Sequence, residues 1–398
     1  MKNTNRWMMF LVLLPVLLLL LLSGWILKSE WKRNQISKVS ESESDFMPQD
    51  LGEEQTIGIS EDRAESEVET EIETEGENEK TDSSQVHLLF SGDILLSTHV
   101  TTAYDKSGGI EGVLDEPLRA EITQSDIYMA NQEFPFSERG SAAPDKQFTF
   151  RLSPTRVSMM NEIGVDIVSI ANNHTLDYGT DALVDTCNTL DQAGIAYVGA
   201  GENMDRAKKL ETIEVKGKTI GFLAASRVYP DPNWVANRKK PGMVSGYDPT
   251  ILLEEIKKAQ DLCDYLVVYV HWGVEREEQP KEYQKVLGRK IIDAGGDLVV
   301  GSHPHVLQGV EYYKGKPICY SLGNFIFGSS IPKTVMLKAD VDFDQDSVRL
   351  SLIPGTSRAG YTRKITDEKE MQSFYQYYQN LSFGITVDQA GVIHPENE

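Results

Sequence analysis

The chain has 398 residues, of which 25% are charged, and a formal net charge of −22 with a sequence pI near 4.8. That balance, with no dense stripe of Lys and Arg, excludes a nucleic-acid partner held by phosphate neutralisation. The three cysteines, Cys187, Cys263 and Cys319, are far apart and unpaired in spacing, which excludes a disulfide framework and a zinc knuckle.

Lys2 and Arg6 precede an apolar run over 7–27, interrupted by Pro15, Ser23 and Gly24. About 20 apolar residues suffice to cross a hydrocarbon core. The run is long for a cleaved signal peptide and lacks a small-x-small site after it, so it predicts an uncleaved N-terminal membrane anchor over 1–33. Lys28, Lys32 and Arg33 oppose Lys2 and Arg6, so flanking charge alone does not set the orientation. From Glu41 to Asp82 there are 17 acidic residues against Arg63 and Lys80. Residues 34–84 therefore predict a disordered acidic linker, too charged and too poor in apolar groups to offset chain entropy. The body, 85–398, is long enough for a single large core.

Within the body, short apolar runs alternate with helical periodicity. Strands are expected at 86–90, 127–130, 167–170, 219–224, 265–270, 298–300 and 317–321, and helices at 181–193, 250–262 and 283–294. A meander follows at 334–343 and 347–353, then a terminal helix at 371–380. This order predicts an α/β body with late antiparallel pairs.

Five of these strands run into polar, chemistry-bearing tips. Asp93 follows Ser91-Gly92, and Glu133 follows Asn131-Gln132. Asn172, Asn173 and His174 follow the third strand, with Asp177 three residues on. His271 precedes Trp272-Gly273, and His303 and His305 flank Pro304. Ligands gather beyond the carboxyl ends of strands in α/β sheets, so groups distant in sequence can converge there. A mixture of carboxylate, amide and imidazole suits one or two divalent transition metals (Mn, Fe or Zn) rather than calcium. Asp177 can orient an imidazole through a hydrogen bond. The cluster Arg227, Arg238, Lys239 and Lys240 reads as a solvated loop, the alternative being a local basic patch for an anionic partner.

The ordered set GD (Asp93), ANQE (Glu133), ANNH (His174), HWG (His271), GSHPH (His303, His305) and SLGNF (Asn324) resembles the poly-γ-glutamate capsule biosynthesis family, CapA/PgsA-type. That family is itself similar to calcineurin-like metallophosphoesterases. The resemblance implies a four-layer α/β/β/α sandwich with metal ligands Asp93, Glu133, Asn173, His271, His303 and His305. It makes His174 the proton donor or transition-state stabiliser, with Asp93 a second candidate for acid–base work. Asn172, Asp177 and Asn324 fall around them as substrate-side or supporting groups. One position departs from the phosphoesterase pattern: Leu95 stands where a ligand histidine is usual, and His99 has the wrong spacing to replace it.

Three functions are compatible with these residues. The first is a membrane-anchored, metal-dependent hydrolase acting on phosphoester or amide bonds in envelope polymer metabolism. The second is a non-catalytic accessory or export subunit working with polymer-synthase membrane subunits and an anionic polymer. The third is a metal-assisted epimerase. The linker and the resemblance place the body outside the cell membrane.

Overall fold

A computed structural model describes residues 85–328 and 330–396. The anchor expected over 1–33 and the linker over 34–84 lie outside the described residues. Among the described residues no helix is long and apolar enough to cross a membrane.

The chain builds half of one sheet, then a second sheet, and then returns to finish the first. Strands β1 (Gln85–Ile94), β2 (Ile127–Gln132), β3 (Ile167–Ser169) and β4 (Ala196–Val198) are laid down side by side and parallel. Next come β5 (Glu211–Val215), β6 (Lys218–Ser226), β7 (Tyr265–His271), β8 (Leu298–Ser302), β9 (Leu307–Tyr313) and β10 (Lys316–Leu322). These form a six-stranded sheet in the order β9-β10-β8-β7-β6-β5, with parallel β10, β8, β7 and β6 inside and antiparallel edges. Finally β11 (Asn324–Ile326), β12 (Ser330–Asp342), β13 (Ser347–Arg358) and β14 (Tyr361–Lys364) complete the first sheet. Its order is β14-β13-β12-β1-β2-β3-β4, with β11 paired parallel to the end of β1.

Alternation along β7 shows how the sheets are stacked. Tyr265, Val267 and Tyr269 belong to a large core shared with β1 and β2 residues such as Phe90 and Tyr128. Leu266, Val268 and Val270 belong to a second core. Side chains alternate faces along a strand, so the two sheets face each other across the first core. The Tyr269 hydroxyl crosses that core and donates to the Ser91 carbonyl at 2.9 Å.

Seven helices of six residues or more accompany the sheets among the described residues: α1 (Thr98–Ser107), α2 (Glu116–Gln124), α3 (Ser158–Ile163), α4 (Gly179–Ala193), α5 (Thr250–Ala259), α6 (Glu282–Ala294) and α7 (Glu368–Leu381). Leu252 and Ile256 of α5 and Leu287 and Ile291 of α6 cover the outer face of the second sheet. A parallel strand buried on both faces reads as a continuous apolar run, which is why YLVVYVH is legible as a strand. All three cysteines are free thiols, Cys187 and Cys319 buried and Cys263 half-buried.

The strands run further than their apolar cores suggest. β1 continues through Ser91-Gly92 to Ile94, with its register against β2 shifted between Phe90 and Asp93. Asp93 is therefore held inside the sheet by a local irregularity, a feature that re-aims a side chain. Elements such as β5, α1 and α2 were not legible as separate units, because their exposed faces blur the periodicity.

Candidate metal centre

The carboxyl ends of β1, β2, β3, β7 and β8 meet at one edge of the two sheets. The Cα partners of Asp93 are Asn324 on β11 and Asn131 on β2, and those of His271 are Ser226 and Ser302. β11 reaches Asp93 because Gly92 lacks a side chain: a Cβ there would stand 1.8 Å from the Gly323 carbonyl oxygen.

Asp93, Asn131, Glu133, Asn172, Asp177 and His271 are completely buried, and His174 and His303 nearly so. Buried polar groups need partners, and a chain of amides supplies several of them. Asn131 Nδ2 donates to Asp93 Oδ1 at 2.8 Å, and Asn172 Nδ2 donates to Asn131 Oδ1 at 3.1 Å and to the Gln132 carbonyl at 2.7 Å. Asn172 Oδ1 in turn accepts from the His174 backbone N–H at 3.0 Å, fixing the Asn-Asn-His turn. That turn delivers Asn173, whose Oδ1 lies 2.8 Å from His271 Nε2.

His303 and His305 both occupy the left-handed region, at φ 102° and 59°. Non-glycine residues there carry strain on the order of 1–3 kcal/mol, and such strain collects at functional sites. Here it turns both imidazoles inward around Pro304. His305 Nδ1 lies 2.7 Å from Asn324 Oδ1 and 3.6 Å from Asp93 Oδ2. The rings of His271 and His303 are 4.8 Å apart, centre to centre.

Three polar atoms of the candidate ligands are orphaned. Both carboxylate oxygens of Glu133 and Nδ1 of His303 are buried without a hydrogen-bond partner. Leaving such groups unpaired is costly, and an ionised carboxylate most of all. Burial and the neighbouring Asp93 push the Glu133 carboxyl well above the usual carboxylate range. Burial holds His271 well below the ordinary imidazole range and His303 down at about 3, so both rings are neutral, with lone pairs available. Burial also pulls His305 down, but Glu133, Asp93 and Asn324 outweigh it and raise the group to about 10. A cation bound beside these carboxylates would take the place of that proton and leave the ring neutral.

The candidate ligands form two overlapping groups, Glu133 with His303 and His305, and Asp93 with Glu133 and His271, their donor atoms lying within 4.8 Å of one another. Glu133 is common to both. Leu95, at the position of the missing histidine, is buried in the hydrophobic core, and His99 is exposed on the first turn of α1.

On the rim, His174 Nδ1 lies 2.6 Å from Asp177 Oδ2, and its ring stacks on Phe150 at 4.2 Å. Lys146 also pairs with Asp177 and lies 3.0 Å from His174 Nδ1. Burial lowers the pKa of both His174 and Lys146, against the opposing pull of Asp177. The structure therefore brings the candidate ligands, His174, Asn172, Asp177 and Asn324 to one sheet edge and adds Asn131, Lys146, Phe150 and Ser302. Asn131 sat in view beside Glu133. Lys146 lies in a loop with no periodic pattern, and only the tertiary structure carries it to Asp177.

Residues 87–329 match the family described as Bacterial capsule synthesis protein PGA_cap. The chain belongs to this CapA-type family. It is 30% identical to the Capsule biosynthesis protein CapA of Bacillus anthracis, over 75% of this chain and 73% of that one. It is 32% identical to the PGA biosynthesis protein CapA of Bacillus subtilis, over 62% of this chain and 64% of that one. Among solved structures, the NAD nucleotidase NadN of Haemophilus influenzae aligns at a TM-score of 0.43 and 10% identity, covering 75% of this chain and 63% of that one.

Proposed function

We propose that this is a membrane-anchored accessory protein of poly-γ-glutamate or related capsule polymer synthesis, with its body outside the cell membrane and a hydrolytic divalent-metal site at the sheet edge. Family membership and the names of the Bacillus relatives support the polymer role. The single observation that carries the metal is Glu133, a carboxylate buried with both oxygens unpaired among His271, His303 and His305. The layering supports a four-layer α/β/β/α metallophosphoesterase-like sandwich.

The donor set fits a transition metal. Asn173 and Glu133 both present an oxygen to Nε2 of His271, at 2.8 Å and 3.6 Å, so nitrogen and oxygen donors stand together. Asp93, Glu133, Asn173, His271, His303 and His305 would hold one or two ions of Mn, Fe or Zn. When bound, such an ion polarises a substrate oxygen and makes water nucleophilic near neutral pH. The remaining work falls to the chain. Asp177 fixes the ring of His174 through Nδ1, leaving Nε2 to give or take a proton at the leaving group. Phe150 closes one face of that ring and keeps water from it.

Leu95 favours a second reading, in which the family's polymer role is kept without turnover. A buried leucine supplies no donor where a ligand histidine is usual, so the two-ion site is short of one ligand. The deciding experiment is metal analysis of the purified full chain, with and without His305→Ala, followed by turnover of a generic phosphodiester and of a γ-glutamyl peptide. Stoichiometric metal in the wild type, reduced in the variant, is expected. A metal-free wild-type chain would overturn the metal site, and a metal-loaded chain without turnover would leave the accessory role standing.

A further inference from the structure

Beside the metal centre a cation is held in place without an anion. Arg227 follows the end of β6, and its backbone N–H donates to the His271 carbonyl at 2.8 Å, so it stands at the same sheet edge as the imidazoles. Its guanidinium lies 3.9 Å from the Tyr283 ring centre and 5.0 Å from that of Tyr247. The two tyrosines are fixed in turn. Tyr283 lies in the first turn of α6. Gly273, two residues beyond His271, packs so closely on Pro304 that a Cβ there would come within 2.8 Å of the proline ring. Tyr247 meets Tyr229 edge-on at 5.0 Å, and the Tyr229 hydroxyl is 2.8 Å from Ser245 Oγ. Through the Arg227 backbone bond to His271 the platform stands beside the segment that packs on the His303–His305 turn.

Stacking fixes the plane of a guanidinium but uses none of its five N–H donors. Among the described residues no carboxylate lies within 4.0 Å of Arg227, although acidic residues are abundant in the body. Five other arginines among the described residues are paired with a carboxylate: Arg139 with Asp185, Arg156 with Asp105, Arg206 with Glu211, Arg289 with Glu311 and Arg349 with Asp340. Tyr247 is 55% exposed, so the platform opens to solvent. By contrast Arg238 and Lys239 sit exposed on the hairpin tip closed by Asn237 and Lys240.

We propose that Arg227, clamped between Tyr247 and Tyr283, is the subsite that binds a carboxylate of an acidic peptide polymer and aligns the chain across the metal centre. A planar fork matches a carboxylate through two parallel hydrogen bonds, and a pre-stacked fork loses little freedom on binding. This inference rests on the polymer reading given above. It also gives an acidic protein one fixed point of attraction for an anionic substrate.

The test is fluorescence anisotropy with a labelled oligo-γ-glutamate on the purified full chain, metal-loaded and chelator-treated. Arg227→Gln is expected to weaken binding by at least about tenfold, the loss of one charge-assisted bidentate contact. Metal content and thermal midpoint should stay at the wild-type values. Arg227→Lys should recover only part of the affinity, because an ammonium keeps the charge and loses the fork. Wild-type affinity in Arg227→Gln, or no binding by the wild-type chain, would overturn the subsite. Displacement of the probe by inorganic phosphate but not by unlabelled oligo-glutamate would overturn the carboxylate assignment. A chain that holds no metal yet binds oligo-glutamate through Arg227 would keep this inference and remove the metal reading.

Discussion

Oε1 of Glu133 stands 3.6 Å from Nε2 of His271, both side chains fully buried and with no hydrogen bond between them. A carboxylate and a neutral imidazole held this close without a shared proton form a pair that a cation would complete. The rest of the site is arranged around that gap in bonding, with amides on one side and the His303–His305 turn on the other.

The first prediction concerns the shared ligand. Glu133→Gln is expected to abolish stoichiometric metal, because Glu133 belongs to both ligand groups. His303→Ala should reduce it less, since Asp93, Glu133 and His271 remain together. Inductively coupled plasma analysis of the two purified variants checks the order, and equal metal in Glu133→Gln and wild type would refute it.

Gly92 offers a purely steric test. A methyl group there would meet the Gly323 carbonyl carbon at 2.8 Å as well as its oxygen, and both are backbone atoms that cannot swing aside. Gly92→Ala should force β11 away from β1, cost about 3 kcal/mol or more, and displace Asn324 from His305. The readouts are the denaturation midpoint and metal content. A variant with wild-type values in both would show that the strands have room to part.

Asp177 joins three donors: His174 Nδ1 at 2.6 Å, the Phe150 backbone N–H at 2.7 Å and the Lys146 ammonium. Asp177→Ala leaves a mostly buried Lys146 without its counter-ion. Removing one partner of such a pair costs about 3–5 kcal/mol. Lys146→Gln should cost less, because the glutamine amide can still donate to the carboxylate. Chemical denaturation of the two variants tests the ranking, and a larger loss in Lys146→Gln would overturn it.

A pH dependence arises away from the candidate metal ligands. The Arg139 guanidinium hydrogen-bonds to Asp185 at 2.6 Å and holds its carboxyl below the usual range, against a small opposing effect of burial. Ser137 Oγ donates to the same carboxylate at 2.6 Å. A depressed folded-state pKa means that this contribution is present above the unfolded carboxylate pKa and is lost as pH falls through the folded value. Asp185→Asn should therefore lower the thermal midpoint at pH 7, by an amount corresponding to about 1 kcal/mol, since Arg139 is itself more than half exposed. The gap between variant and wild type should close as pH falls below the ordinary carboxylate range and through the folded value. A gap that widens on acidification would show the sign to be wrong.

Much of this protein was legible before its structure. The continuous apolar runs of β7 and β8 marked strands buried on both faces, and the polar residues that end them marked one sheet edge, because parallel strands of a sheet share an end. The order of Asp93, Glu133, His174, His271, His303 and His305 identified the family, since each short pattern is common alone and the ordered set is not. What the sequence could not show is distance. That Gly92 lets β11 pair with β1, that Lys146 reaches Asp177, and that Arg227 is stacked on Tyr283 are facts of tertiary packing between segments tens to hundreds of residues apart. Periodicity reports which face of an element is buried, and composition reports which chemistry is available. Only the packing of the two sheets decides which donor atoms meet, and which of them are left without a partner.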